Sequence, residues 1–253
     1  MIPVLTDDQA YQLDKNTIES GCLTELELMD NSGKAVAQFF CEKILNPFNQ
    51  RVVIVCGKGN NGRDGVVAHS YLKKYNVQSN IIFIENKYIH VNLLKKYNIP
   101  KSDYSVYNEK NKFHEYDWII DGIFGIGLNR DLDDRYTNLI NSINRIKNVI
   151  SIDVPSGSSS NEINNESVSI YPKYTITFGY SKLTHYMNAC NNVITVNIGF
   201  KSFNDSRVLR ITLKDIKNII KNRIHKENKH KNSTECVIIA GSYEYPGAAI
   251  LSS

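Results

Sequence analysis

The sequence predicts an α/β protein, a Rossmann-like three-layer αβα sandwich around a mainly parallel central sheet. Three observations carry this expectation. From residue 52 onward, apolar runs alternate with helical patterns, the order that builds a parallel sheet with helices on both faces. The runs Val52-Val-Ile-Val55 and Ile81-Ile-Phe-Ile84 lack polar alternation, as strands buried on both faces do. The first run breaks into the glycine-rich turn Gly57-Lys-Gly-Asn-Asn-Gly62 and then a helix. Such a junction aims backbone N–H groups and a positive helix end at an anion.

The elements follow in order. Thr6-x-x-Gln9 is a capping box that opens a helix through about residue 19. Thr24-x-x-Glu27 opens a longer helix to about residue 45, with Leu28, Val36, Phe39, Phe40 and Ile44 at helical spacing. Strands are expected at 52–56, 80–85, 118–121, 149–153, 174–178 and 193–198, and helices at 64–75, through 93–97, at 133–146 and, briefly, from Thr212. Residues 221–235 carry almost no apolar side chains and read as a linker. Beyond them, Cys236-Val-Ile-Ile-Ala-Gly-Ser begins a strand, a glycine turn and a helix that cannot bury a core alone. The division expected is a domain over 1–220, a linker over 221–235 and the start of a second domain over 236–253.

A 253-residue chain with 42% hydrophobic residues and a charge of +4 is long enough for one large α/β domain and too weakly charged for a nucleic-acid footprint. The basic run around Lys226, Lys229 and Lys231 reads as a solvated linker. Five cysteines, odd in number and without metal-ligand spacing, fit reduced thiols. The N-terminus turns acidic too early for a signal peptide, and no apolar run is long enough to span a bilayer. A cytoplasmic protein without a membrane or nucleic-acid partner is expected.

Ligands of open α/β sheets bind beyond the carboxyl ends of the strands. Three such ends here carry carboxylates: Asp64, with Asn60 and Asn61, then Asp121, then Asp153. Each stands beside glycines that permit close approach. Carboxylate, amide and hydroxyl groups without neighbouring His or Cys suit a hard cation, and Asn61, Asp121 and Ser156 can each donate one oxygen. The alternative is structural, with Ser156 capping a turn and Asn61 holding a left-handed conformation. Crowded carboxylates raise one another's pKa, so one of them can act as a general acid. His69 reads as a packed or surface residue, His185 and His225 show no partner pattern, and Trp118 heads a buried strand. The tyrosines form no stacking platform, and Ser156 and Ser158 lack a G-x-S-x-G elbow. Gly57, Gly59 and Gly62 also satisfy G-x-G-x-x-G, and Glu85 follows 23 residues after Gly62, where a ribose-binding acid sits. That fit supports a rival reading as an NAD(P)-dependent oxidoreductase, but it leaves Asn60, Asn61 and Asp153 without a role.

Five motifs together resemble the NAD(P)H-hydrate epimerase family over residues 4–200. They are Leu-Met-Asp-Asn-Ser-Gly at 28–33, Gly-Lys-Gly-Asn-Asn-Gly-Arg-Asp-Gly at 57–65, Asp-Gly-Ile-Phe-Gly-Ile-Gly at 121–127, Ile-Asp-Val-Pro-Ser-Gly at 152–157 and Thr-Ile-Thr-Phe-Gly-Tyr-Ser-Lys at 175–182. The resemblance implies interconversion of the two epimers of hydrated NADH and NADPH. It implies substrate contacts from Asn60, Asn61, Gly62, Arg63 and Asp64, from Gly125, Ile126, Gly127, Leu128, Asn129, Arg130 and Asp131, and from Asp153. It implies a potassium ion (K+) held by Asn61, Asp121 and Ser156. For the proton transfer Asp153 is the first choice and Asp64 the second. The family's partner activity is an ADP- or ATP-dependent dehydratase, often fused at the C-terminus, and the segment from Val237 resembles its first strand and turn. Residues 1–220 then form the epimerase domain and 236–253 a truncated dehydratase start without activity of its own, so a separate dehydratase is the expected functional partner. The long N-terminal helix suits a homodimer. Three departures stand out: Arg63 replaces a family glycine, Ser158-Ser-Ser-Asn-Glu follows Gly157 in place of an acidic loop, and Leu183 and Thr184 replace glycines. Were position 63 to need a positive φ, arginine would cost roughly 1 kcal/mol or more in strain. Its guanidinium can alternatively reach a phosphate. Loss of activity with retention of the fold would make the chain a non-catalytic ligand-binding module.

Overall fold

Both capping boxes form in the computed structural model, which describes residues 1–85, 90–127, 132–158, 168–187, 190, 192–203 and 206–224. Thr6 Oγ1 accepts from Gln9 N–H at 3.2 Å and Gln9 Oε1 accepts from Thr6 N–H at 3.0 Å, which starts α1 (Asp7–Glu19). Thr24 and Glu27 repeat the exchange and start α2 (Glu25–Lys43). Each box satisfies two helix N–H groups that would otherwise lack partners.

The main sheet has seven strands in the order β4-β3-β2-β5-β6-β7-β9. These are β2 (Arg51–Cys56), β3 (Gln78–Phe83), β4 (Tyr104–Val106), β5 (Trp118–Gly122), β6 (Val149–Ile152), β7 (Tyr174–Phe178) and β9 (Val193–Val196). Every neighbouring pair is parallel. Residues of one strand divide strictly between the two faces. Val52, Ile54 and Cys56 join one core with residues of α2, α3 (Asn60–Lys74) and α4 (Val91–Lys96), while Val53 and Val55 join another with α5 (Asp134–Ile143). This is the three-layer sandwich the apolar runs predict. The strand order records the chain's path. From β2 it moves outward through β3 to β4, then returns to the far side of β2 and continues from β5 to β9. The direction therefore reverses between β2 and β5, and a crevice opens outside their carboxyl ends.

A second, three-stranded sheet runs β10-β1-β8, comprising β1 (Ile2–Leu5), β8 (Ser181–Lys182) and β10 (Val208–Arg210). Val4 lies opposite Ser181 and Leu5 opposite Lys182 in parallel register. These strands, β4 and the short helix α6 (Thr184–Met187) are too brief to leave a periodic signal. The chain divides into two units, Pro3–Arg210 and Met1–Ile2 with Ile211–Ser253. In the second unit, Thr212 and Asp215 cap α7 (Leu213–Ile224), and the Met1 ammonium pairs with Asp215 at 2.7 Å. This helix runs through 221–224, the expected start of the linker. The rest of that linker, His225 and the segment 236–253 lie outside the described residues.

The largest boundary difference is at α3, which begins at Asn60 rather than at 64. Its glycines read as loop residues but serve close packing: a Cβ at Gly62 would stand 1.9 Å from the Gly57 carbonyl oxygen. Gly33 does the same between helices. A Cβ there would meet Val67 side-chain atoms at 2.5 Å and the Ala68 nitrogen at 2.7 Å, so α2 and α3 pack with almost no space between them. Overpacking a site of this kind costs about 1–3 kcal/mol. Gly33→Val is expected to lower the urea midpoint by the equivalent of about 2–3 kcal/mol; an unchanged midpoint would show that the two helices separate freely.

Candidate active site

At the reversal between β2 and β5, Gly57 N–H donates to the Gly122 carbonyl at 3.0 Å, and His90 Nε2–H donates to the Gly57 carbonyl at 2.8 Å. The His90 ring is buried and stacks on Phe83, with centroids 5.4 Å apart. These bonds hold the turn in place while α3 starts at its N-cap, Gly59. In the first turn, Asn61 is buried and helical, not left-handed as its structural reading required. Its Nδ2 donates to the carbonyls of Phe124 at 2.8 Å and Ile152 at 2.7 Å. One amide thus joins the helix start to the chain leaving β5 and the end of β6.

Asp121, at the end of β5, is fully buried. Its carboxylate accepts from Ser156 Oγ at 2.5 Å, Ser156 N–H at 3.0 Å, Ser151 Oγ at 2.8 Å and Ile123 N–H at 3.2 Å. Burial pushes its pKa up, and these hydrogen bonds pull it back only in part. Ser156 also accepts from Phe124 N–H at 2.9 Å, so it holds a turn as its structural reading expects. Asn61, Asp121 and Ser156 are nevertheless brought together, and the oxygens around them are hard donors throughout.

Asp153 follows β6 in the left-handed region, at φ 64°. For a residue with a Cβ this costs about 1–2 kcal/mol, and such strain collects at functional sites. Position 63 does not need a positive φ, so arginine carries no such strain there; the left-handed residue at this edge is Asp153. One carboxylate oxygen of Asp153 accepts from Lys182 Nζ at 2.6 Å and Thr177 Oγ1 at 3.1 Å. Its carbonyl accepts from His185 Nε2–H at 2.8 Å, while His185 Nδ1 accepts from Lys182 N–H at 3.0 Å. Burial opposes ionisation of Asp153, but the Lys182 ammonium, its hydrogen bond and His185 outweigh burial and hold the pKa below the ordinary carboxylate value. His185, which shows no partner pattern in the sequence, is thus a buried clamp on this corner.

Asp64 lies one turn into α3, is buried and has no ion-pair partner among the described residues. Burial, then Asp153 and Asp14, raise its pKa well above the ordinary value, against a smaller lowering by Arg63. Two buried carboxylates thus share a site with opposite shifts. They open on a cavity of about 560 Å³, within the range of small-molecule sites. Asn60, Asn61, Arg63, Asp64, Gly125, Ile126, Gly127 and Asp153 line it, with Asp14 and Lys182, neither of which the sequence reading assigned. Lys182 closes the fifth motif, a signal that was available; Asp14 stands in an ordinary amphipathic helix and left none. Gly62 packs on Gly57 and is absent from the cavity wall, as are Asp121 and Ser156. Leu128, Asn129, Arg130 and Asp131 lie outside the described residues.

Arg63 is helical, and its guanidinium pairs with Glu25 at the start of α2 and reaches Asn60 Oδ1 at 3.3 Å. Glu85, the ribose-binding acid of the oxidoreductase reading, accepts from Tyr136 Oη and is not on the cavity wall. His69 is packed away, against Ser79 at 2.9 Å, and Trp118 is core as expected.

Fold and site define a class of protein: a parallel α/β sandwich with an acid-lined cavity at the point where the strand order reverses. Within that class the chain belongs to the family described as YjeF-related protein N-terminus, whose model it matches over residues 25–184. It is 32% identical over 273 residues to the bifunctional NAD(P)H-hydrate repair enzyme Nnr of Dictyoglomus turgidum, covering 99% of this chain and 51% of that one. It is 34% identical over 156 residues to the NAD(P)H-hydrate epimerase of Entamoeba histolytica, covering 60% of this chain and 69% of that one. The chain therefore spans about half the length of the bifunctional relative. The crystal structure of yeast ynu0 shares the fold, with a TM-score of 0.63 at 20% identity over 83% of this chain and 100% of that one.

An acid with a raised folded pKa stabilises the fold below its unfolded pKa and loses that contribution as pH rises toward the folded value. Asp64→Asn is therefore expected to exceed the parent in stability at about pH 8 and to match it near about pH 4, measured by urea titration at both. A difference that does not change with pH would count against a raised Asp64.

Proposed function

We propose that this chain is an NAD(P)H-hydrate epimerase, an isomerase that interconverts the R and S forms of hydrated NADH and NADPH. The single observation that carries the proposal is the pair of buried carboxylates with opposite shifts, Asp64 and Asp153, facing one cavity at the strand-order reversal. The names of the relatives that share this domain support it.

The substrate carries a hydroxyl on a carbon bonded to the ring nitrogen. Asp64, whose pKa its surroundings raise, gives its proton to that hydroxyl; the C–O bond breaks and water leaves. The nitrogen lone pair takes up the positive charge, which the Asp153 carboxylate stabilises. Water then adds to the carbon from either face and returns a proton to a carboxylate, so atoms and charge balance without an oxidant. This divides between two residues the tasks that the sequence reading gave first to Asp153 alone. Asn60, Asn61 and Arg63 in the first turn of α3 and the segment from Gly125 hold the dinucleotide, with backbone N–H groups of the helix start toward its phosphates. The Arg63 guanidinium, now turned to Glu25, is near enough to the loop to take part.

Potassium fits the same edge. Asp121 is a fully buried carboxylate with four hydrogen-bond donors and no cationic partner among the described residues. Asn61, Asp121 and Ser156 would hold the ion, which would supply the missing positive charge and fix the strand ends. The cysteines described, Cys22, Cys41, Cys56 and Cys190, are free thiols, which supports a reducing compartment such as the cytoplasm. Similarity to the bifunctional relative runs over 99% of this chain, which supports reading 1–220 as the epimerase domain, 221–235 as a linker and 236–253 as the start of a dehydratase domain, with a dehydratase as functional partner. A homodimer is part of the same proposal.

Purified protein is expected to speed interconversion of the separated epimers above the spontaneous rate, followed by chromatography, and Asp153→Asn to reduce that rate by about 100-fold or more. A protein that leaves the spontaneous rate unchanged is a non-catalytic binding module; a fully active Asp153→Asn removes Asp153 from the mechanism. Replacing choline by potassium is expected to raise the thermal midpoint of the parent and not of Asp121→Asn, as binding to the folded state requires. Equal midpoints of the parent in the two salts would rule the ion out.

A further inference from the structure

Epimerisation works on both faces of the substrate ring. Water must leave from one face of the ring and return to the other, and a carboxylate on the second face would pass that water's proton directly. Asp64 and Asp153 both stand at the sheet edge, on the start of α3 and after β6. Another element, α1, brings a carboxylate to the same cavity. This helix buries Ala10, Leu13 and Thr17 against its neighbours, and Asp14 faces the cavity half-buried. Asp14 has neither a hydrogen-bond nor an ion-pair partner among the described residues, and it caps no helix. A half-buried carboxylate held without a partner, beside the apolar side chains of Leu5, Leu13 and Phe200, is unfavourable for stability and has no structural task.

Resting on the epimerase reading, we propose that Asp14 is a further catalytic residue, exchanging the proton of water on the ring face turned away from the strand ends. The charged groups that line the same cavity are Lys15 and Glu19 of α1, Glu25 of α2, Arg63 and Asp64 of α3, Asp153, and Lys182 of β8. Among them, burial first and the Asp153 charge second push Asp14 up to about 6, with Lys182 pulling the other way. At neutral pH it can therefore both give and take a proton. On its face the chemistry is the same: protonation of the hydroxyl, cleavage of the C–O bond and departure of water, or addition of water with its proton passed to Asp14.

The test compares the parent, Asp14→Asn and Asp14→Glu on each epimer in turn in water enriched in oxygen-18. With Asp14→Asn, epimerisation is expected to fall about 100-fold at nearly unchanged KM and to lose its pH dependence near about 6. For one of the two epimers, exchange of the hydroxyl oxygen with retention is expected to continue at the parent rate, because the strand-end wall still works. Asp14→Glu is expected to recover part of the loss, and the thermal midpoint of Asp14→Asn to be no lower than that of the parent. Parental epimerisation by Asp14→Asn overturns the proposal, as does a change in KM alone or an equal loss of exchange and epimerisation. A parent that does not speed epimerisation at all overturns the functional reading and this one with it.

Discussion

The ion pair between Lys182 and Asp153, 2.6 Å long and almost wholly buried, is the interaction on which the site's arrangement rests. A lone carboxylate at that depth would give up its charge, and removing one member of a buried pair costs about 3–5 kcal/mol. The pair also has a topological consequence. Lys182 lies on β8, and β8 pairs with β1, Leu5 standing opposite Lys182. The chain leaving Leu5 enters α1. The ammonium that keeps Asp153 ionised thus ties the three-stranded sheet, and the helix that carries Asp14, to the carboxyl end of the main sheet. His185 bonds to the backbone of both partners and fixes the corner in which they meet.

Around this pair one residue type takes several states by environment alone. Asp153, next to an ammonium, is pushed down; Asp64, buried near two other acids with only a smaller opposing effect of Arg63, is pushed well up; Asp14, between solvent and cavity, is pushed up to about 6; Asp121 stays buried among hydrogen-bond donors. Identical side chains with separated pKa values are what acid–base chemistry near neutral pH requires. The backbone contributes as well. The left-handed conformation at Asp153 turns its carboxylate back toward Lys182 and Thr177, and the structure around it bears the strain.

Much of the fold was legible because its signals are local. Two threonines, each with Gln or Glu three positions on, set the starts of α1 and α2, and uninterrupted apolar runs marked β2 and β3 as interior strands. Asn60, Asn61 and Asp64 were legible because polar side chains are out of place in a turn built for close approach. The start of α3 was not, since glycines that read as loop turned out to be a packing requirement against Gly57. The strands β1, β8 and β10 were missed because two to four residues carry no period. Arg63 drew attention as a departure from the family pattern, yet it sits unstrained in a helix and pairs with Glu25 across a contact between α2 and α3 that no local rule contains.

What the sequence by itself determined was the long helices and the main strands from β2 onward, the motifs at the strand ends and the carboxylates Asp64, Asp121 and Asp153 placed there. Periodicity, capping and glycine spacing are properties of neighbours in the chain, and they can be read there. The tertiary structure alone decided which acid is pushed above its ordinary pKa and which below, and that Asp14, Lys182 and His185 stand together with them. Those outcomes depend on burial and on charges 29 residues apart, in Lys182 and Asp153, or more. Electrostatic energy follows distance and dielectric surroundings in space, and neither is written in the order of the residues.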